Sequence, residues 1–477
     1  MSGDDCHMST FAYQKLIADK NVAFSPRGLT TIPKLSDRMF PHQRHSTEFA
    51  LRAGCSALFL DTGLGKSFCS LEWGRVIVEH TNKPVLMLAP LAVGPQHQRE
   101  AEKFDIAAKY VREPHEITGP GIWITNYERM DKFDPTIFAG VILDESSILK
   151  SFSGAMTRAL MAAFADTPFR LACTATPAPN DHTELGQHAE FLGIMRTMEM
   201  LAQWFINDTS TASQDWRLKK HAVRPFWDWT ASWSRCISKP SDIGMDDTGF
   251  VLPDLVMHQH IVEADRTVDA GEEKDGQARL LRMPDTSATS IHREKRMTIE
   301  ARADVIADVV AAEPDETWIV WCDTDYEADA LTSRIQDAVE VRGSMKADVK
   351  EHRLVSFSLG KSRVVVTKPS VAGFGLNWQH CARQAFVGLS FSYESFYQAI
   401  RRSWRFGQTR PVHVHVAMAD TEKAIWDVVN RKSGDHDKMK REMRLAMGRA
   451  VNAHEARKPY VASRNLVVPQ WMNGGMK

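Results

Sequence analysis

The sequence predicts an α/β fold of two lobes, each built on a parallel sheet, with a helical insertion between them and a helical C-terminal tail. Three observations predict it. Between about 40 and 190, short apolar runs alternate with longer helix-like stretches, and the runs Ala57–Leu60, Val85–Ala89, Gly121–Thr125, Gly140–Leu143 and Phe169–Thr174 read as buried strands. A second series of the same plan begins near 300, with Trp318–Cys322, Val339–Arg342, Arg363–Thr367, Gln384–Gly388 and Val412–Val416. Chemistry-bearing residues follow almost every run of the first series, as expected at the carboxyl ends of parallel strands in an open sheet.

The organisation expected from these series is an N-terminal extension (1–38), a first lobe (39–190), a helical insertion and linker (191–300), a second lobe (301–420) and a basic helical tail (421–477). In the insertion, Trp204, Trp216, Trp227, Trp229 and Trp233 lie among Arg217, Lys219, Lys220, His221, Arg224, Arg235 and Lys239. These rings read first as a core for the inserted helices; an aromatic and basic surface for nucleic acid is the other reading. The polar stretch from about Glu263 to Ser290 reads as a linker.

At 477 residues the chain has room for two or three domains, and 43% hydrophobic with 25% charged residues is ordinary globular composition. A net charge of −1 does not advertise a nucleic-acid binder, although a local basic track is all that a grip on phosphates needs. Seven scattered cysteines with no CxxC pair argue against a disulfide framework and for a reducing compartment. The acidic N-terminus lacks signal-peptide character, and no apolar run approaches the ~18–20 residues of a membrane span. The expectation is a cytoplasmic protein with no membrane partner.

The first strand candidate runs into Asp61-Thr62-Gly63-Leu64-Gly65-Lys66-Ser67. Gly63 and Gly65 allow the backbone to turn N–H groups onto a phosphate, flanked by Thr62 and Leu64. Lys66 would reach the β and γ phosphates, Ser67 would ligate Mg²⁺, and the helix that starts there adds its N-terminal partial charge. Leu60 stands where the usual pattern has its first glycine. After Val141-Ile142-Leu143 comes Asp144-Glu145, suited to a magnesium-bound water and to a general base. Thr174 and Thr176, at the end of another run, offer two hydroxyls for coupling a phosphate to a distant surface. Gln43, two residues after Pro41, has an amide able to read an adenine edge. In the second series Gly373, Gly375 and Asn377 form a tight turn that can approach phosphate. Arg402 and Arg405, one helical turn apart after Gln398, could hold developing charge on a transferring phosphoryl group. His413 and His415 alternate on a strand without further metal ligands at supporting spacing.

Taken in order, these segments resemble helicase superfamily 2, and within it the SNF2-like DNA translocases. Phe40-Pro41-His42-Gln43 looks like the adenine-reading Q motif, Asp61–Ser67 like motif I, Ile124–Glu128 like motif Ib and Asp144–Ser147 like motif II. Thr174–Asn180 follows motif III, Gly373–Asn377 motif V, and the ending QAxxRxxRxGQ, from Gln398 to Gln408, is the SNF2-like form of motif VI. Departures are Ser147 in motif II, Ala175 in motif III, and Ala372 with Lys368-Pro369 around motif V. The resemblance covers most of residues 38–418.

The resemblance implies two RecA-like lobes that hydrolyse ATP with Mg²⁺ between them and move along duplex DNA, with Arg402 and Arg405 acting in trans. It implies that the 191–300 segment is the helical protrusion of such proteins, and it leaves room for a protein partner there or at the tail. The small size points to a phage or prokaryotic member, in the latter case cytoplasmic and in the former in the host cytoplasm. Remodelling of RNA and a non-hydrolysing nucleic-acid clamp are the alternative readings.

Overall fold

A computed structural model describes residues 26–90, 93–150, 154–208, 215–264, 288–372 and 377–455. In the first lobe the strands are β1 (Cys55–Leu60), β2 (Val85–Ala89), β3 (Ala108–Tyr110), β4 (Ile122–Asn126), β5 (Gly140–Asp144) and β6 (Phe169–Cys173). Around them lie helices α1 (Pro41–Ala53), α2 (Lys66–Thr81), α3 (Gly94–Lys103), α4 (Ala155–Ala163), α5 (Leu185–Phe191) and α6 (Thr197–Trp204). Every residue of β1, β2, β4 and β5 is buried. Continuous apolar strands of this kind need helices on both faces, which makes the sheet parallel.

The segment after α6 contains a short antiparallel pair, β7 (Phe205–Asp208) and β8 (Asp215–Leu218), then helix α7 (Val223–Trp233) and strands β9 (Ser234–Ile237) and β10 (Leu255–Val262). The second lobe follows with α8 (Ala288–Ala312), β11 (Trp318–Trp321), α9 (Asp325–Arg334), β12 (Ala338–Val341), α10 (Ala347–Ser358), β13 (Val364–Thr367), α11 (Pro369–Ala372), β14 (Arg383–Phe386), α12 (Tyr393–Ile400) and β15 (Val412–Ala419). A long helix, α13 (Lys423–Glu455), ends the described chain.

The first sheet has the order β3-β4-β2-β5-β6-β1-β9, the second β10-β15-β14-β11-β13-β12, and both are parallel throughout. Two parallel-sheet α/β lobes and a C-terminal helix are the architecture expected, and all ten anticipated strands are present, nine of them with shifted ends.

The segment between the lobes differs from an all-helical insertion. Its β9 pairs with β1 at the edge of the first sheet, and its β10 pairs with β15 at the edge of the second. Both are edge strands with a polar or half-exposed character, so neither shows the apolar run that marks a central strand. The tryptophans are core. Trp227 and Trp233 are fully buried, Trp204 and Trp229 nearly so, and their rings pack with Phe226 and Phe59 into one cluster continuous with the first-lobe core.

Candidate nucleotide site between the lobes

The sheet order puts the ends of β1, β5 and β6 side by side, and the turns that leave them form the floor of the site. After β1 the chain passes Gly63 at φ 96° and Gly65 at φ 83°, left-handed values that favour glycine. Space demands glycine as well. A Cβ on Gly63 would lie 2.8 Å from the backbone nitrogen of Phe406 in the other lobe, and one on Gly65 would lie 2.1 Å from Gln43 Nε2. Gly65 caps α2, so Lys66 and Ser67 occupy the first two helical positions, where backbone N–H groups lack intrahelical acceptors.

Lys66 Nζ donates to Leu60 O at 2.8 Å. Burial makes its charge less favourable, and Glu145, Asp144 and Asp61 oppose that effect. Gln43 is buried beneath the loop: its Nε2 donates to Leu64 O at 3.1 Å and its Oε1 accepts from Phe40 N at 3.1 Å. The side chain anticipated as a base reader thus supports the turn itself.

Asp144 closes β5, and Glu145 follows at φ 56°, a left-handed conformation costly for a side chain with a Cβ. The two carboxyls have different partners. Asp144 Oδ2 is 2.8 Å from His97 Nε2 of α3, and both are buried. Burial alone would discharge His97, yet the adjacent Asp144 carboxylate holds its pKa above the ordinary value. Glu145 Oε2 accepts from Thr174 Oγ1 at 3.2 Å. Burial pushes the Glu145 carboxyl up to about 7, with Lys66 and Arg402 pulling against it and Asp144 adding to it. A carboxyl in that range is matched to taking and releasing a proton near neutrality.

Helix α12 lays one face across the first lobe. Glu394 pairs with Lys150 Nζ and accepts from Thr176 Oγ1 at 3.5 Å; one turn on, Tyr397 OH donates to Asp61 Oδ1 at 2.6 Å; one turn further, Arg401 Nη2 donates to Thr62 O at 2.9 Å. The spacing i, i+3, i+7 is that of one helix face. Thr174 and Thr176 therefore have partners on opposite sides of the site, one at Glu145 and one in the second lobe.

The arginine pair sits differently from expectation. Helix α12 ends at Ile400, and Arg401–Gly407 is a string of turns with Gly407 at φ 88°, so Arg402 and Arg405 do not share a helix face. Arg402 Nε and Nη2 donate to Gln398 O and Oε1 at 2.9 and 3.1 Å, which aims a nearly buried guanidinium so that it interacts electrostatically with Glu145. Arg405 interacts instead with Glu100 of α3. Asn377 is exposed, and Gly375 lies outside the described residues. Gln43, Lys66, Asp144, Glu145, Thr174, Thr176, Gln398, Arg402 and Arg405 thus converge on one seam.

Sequence reading missed Arg401, Tyr397, Glu394, Lys150 and His97. Arg401 was visible as the neighbour of Arg402, but only the end of α12 decides which arginine reaches the loop. Phe40, His42, Phe250 and Phe406, drawn from three separate segments, form a ring cluster beside the turn with centroid separations of 4.7–6.1 Å.

The first sheet thus offers a glycine turn, an acidic pair and a Thr-Ala-Thr loop to a second lobe bearing arginines, an arrangement able to hold a nucleotide. Residues 301–407 match the helicase conserved C-terminal domain. The chain is 23% identical over 447 residues to the DNA annealing helicase and endonuclease ZRANB3 of Bos taurus, an alignment that takes in 84% of this chain and 40% of that relative. Among solved structures it is similar to the Sulfolobus solfataricus SWI2/SNF2 ATPase core in complex with dsDNA, with a TM-score of 0.41 and 15% identity over 87% of this chain and 96% of that one. The domain match and the Bos taurus relative support a likeness to the SNF2-like proteins of helicase superfamily 2. Among the described residues no helix is long and apolar enough to cross a membrane.

Proposed function

We propose that this chain is an ATP-dependent motor that hydrolyses ATP between its two lobes and moves along duplex DNA. One observation carries the reading: Lys66, Glu145 and Arg402, from two lobes and three separate motifs, meet at one interface. In this reading the glycine turn cradles the phosphates and Lys66 brings a cation to them. Ser67 and Asp144 supply hard oxygen donors, which suits Mg²⁺, an ion that typically takes one or two carboxylates and completes its shell with phosphates and water. Bound there, Mg²⁺ would neutralise charge across the β and γ phosphates. His97 orients the Asp144 carboxylate from behind, as the outer partners of metal-binding groups do. Glu145, steered by Thr174, takes the proton of the attacking water, and Arg402 stabilises charge on the phosphoryl group from the second lobe.

Motion follows from the same contacts. Glu394, Tyr397 and Arg401 all cross between lobes, so changes at the phosphate site alter how the lobes sit, and Thr176 ties its loop directly to Glu394. The relative's name supports a DNA track. The test is ATP turnover with and without linear duplex DNA, single strands and RNA. Stimulation of several-fold or more by duplex, weakening with salt as phosphate contacts exchange for counterions, is expected. Turnover that responds to RNA alone would move the reading to RNA remodelling, and no turnover with any of them would leave a non-hydrolysing clamp.

A further inference from the structure

The phosphate loop has a partner from outside both lobes. Asp61, the last residue before the loop turns, is 9% exposed, and two side chains from beyond the first lobe bond it. Tyr397 OH donates to its Oδ1 at 2.6 Å, Lys440 Nζ forms an ion pair with the same oxygen, and Lys440 Nζ also lies 3.3 Å from the Tyr397 hydroxyl. Arg401 then fixes the next carbonyl, Thr62 O. Lys440 is 7% exposed and belongs to α13, beyond residues 301–407 that match the helicase domain.

The rest of α13 explains how that lysine arrives. The helix begins just after β15 of the second lobe and crosses to the first. His436, one turn before Lys440, packs against the rings of Tyr393 and Tyr397 at 5.4 and 5.6 Å. Arg444, one turn after, bonds Asp242 at 3.2 Å, and Arg449 bonds Asp228 of α7 at 2.6 Å. Met439, Met443, Ala446 and Met447 join the first-lobe core. Three cations of this basic helix, Lys440, Arg444 and Arg449, thus pair with carboxylates of the first lobe and the segment after it.

We propose that Lys440 is a positioning residue for the phosphate loop, and that α13 is a latch which completes the nucleotide site only when docked on the first lobe. The inference rests on the ATP reading and deepens it. A buried carboxylate whose cation is removed must find water or move. Asp61 adjoins Thr62 and Gly63, so a shift of its backbone would misplace the N–H groups that the ATP reading turns onto a phosphate. Linkage makes the relation reciprocal: if the docked helix favours nucleotide, nucleotide favours the docked helix by the same factor.

The test uses the full chain and two readouts, titration with a fluorescent non-hydrolysable ATP analogue in Mg²⁺ and steady-state ATP hydrolysis. Lys440→Met is expected to raise the analogue's Kd and the KM for ATP about tenfold, within the usual range of coupling between sites, with a smaller change in kcat. Lys440→Arg, which keeps the charge, should recover most of the loss. Asp61→Asn combined with Lys440→Met should lose less than the two single changes together. A merely structural role would lower the midpoint of thermal unfolding without this split between KM and kcat. Hydrogen exchange on the unaltered protein gives an arm free of folding effects: the analogue should slow exchange of amides around residues 436–447. Unchanged Kd and KM in Lys440→Met, or unchanged exchange, overturns the latch. An unaltered chain that neither binds the analogue nor hydrolyses ATP overturns the ATP reading instead.

Discussion

The two lobes share one plan, a parallel sheet wrapped by helices, yet they meet the seam with different equipment. In the first lobe the reactive groups stand at strand ends: Asp61 after β1, Asp144 and Glu145 at the end of β5, Thr174 after β6. In the second lobe they stand on a helix and the turns after it, with Glu394, Tyr397 and Arg401 reaching across and Arg402 aimed by Gln398. Strand ends in a buried sheet are fixed by ladder bonds on both sides, which suits groups that must hold a phosphate still. A helix face can shift as one body, which suits groups that must arrive and leave. In the proposed function the first lobe holds and the second triggers.

The sharpest way to break that division compares Lys66→Ala with Arg402→Ala. Both are expected to lower DNA-stimulated turnover by on the order of 10³ or more, as loss of a charge-stabilising group does in phosphoryl transfer. Only Lys66→Ala should also weaken binding of a fluorescent ATP analogue. If Arg402→Ala loses as much affinity, the second lobe shares the holding and the division fails.

Glu145→Gln should cost about 10²–10⁴ in turnover, the range for general acid–base catalysis, with analogue binding retained. Its isosteric amide still accepts from Thr174, so a turnover close to that of the unaltered protein would remove Glu145 from the chemistry.

A third change tests where the intervening segment belongs. Trp233 is fully buried against Phe59 of β1 and Trp229, so Trp233→Ala should destabilise the first lobe by about 3–5 kcal/mol in denaturant unfolding. Had the ring cluster been a nucleic-acid surface, the change would lower DNA affinity and leave stability nearly untouched.

The smallest effect is expected at the outer seam of the second lobe. His258 and His260 on β10 lie 2.9 and 3.0 Å from His413 and His415 on β15 and stack on them. Arg383 of β14, itself paired with Glu313 near Glu316, faces His413 and, with His258 and His260, opposes charge on His415. Burial, then like charge, depresses His260, His413 and His415 below 6.5, the last to about 3. The unfolded chain therefore gains protons first as pH falls through 6.5, and stability present above that value is lost on further acidification. The thermal midpoint should drop modestly between neutral and mildly acidic pH, and His415→Gln should flatten the dependence. A midpoint independent of pH would show that these rings do not hold β10.

Much of the holding lobe was legible because its signals are local. An apolar strand running into Gly63-Leu64-Gly65-Lys66-Ser67 places turn, helix start and cation within a few residues, and Asp144-Glu145 declares itself at the end of Val141-Ile142-Leu143. The triggering lobe was legible in kind, through the arginines, but not in detail. Which guanidinium reaches the loop depends on the helix stopping at Ile400: successive helix positions differ by about 100°, so Arg401 shares the face of Glu394 and Tyr397 while Arg402 does not. Edge strands β9 and β10 were missed because the short polar β9 and the half-exposed β10 carry no continuous apolar run, and the histidine ladder because its two halves lie 155 residues apart.

By itself the sequence determined the two α/β lobes, the glycine turn and the acidic pair, since each rests on periodicity or on neighbours a few bonds apart; the SNF2-like order of motifs was legible only as a resemblance. The tertiary structure alone decided that Gln43 braces the loop, that Arg401 and Tyr397 span the lobes, and that Lys440 meets Asp61 across 379 residues. The physical reason is burial. A charge far along the chain becomes a partner only when folding removes both groups from water, and no local pattern encodes which two will be enclosed together.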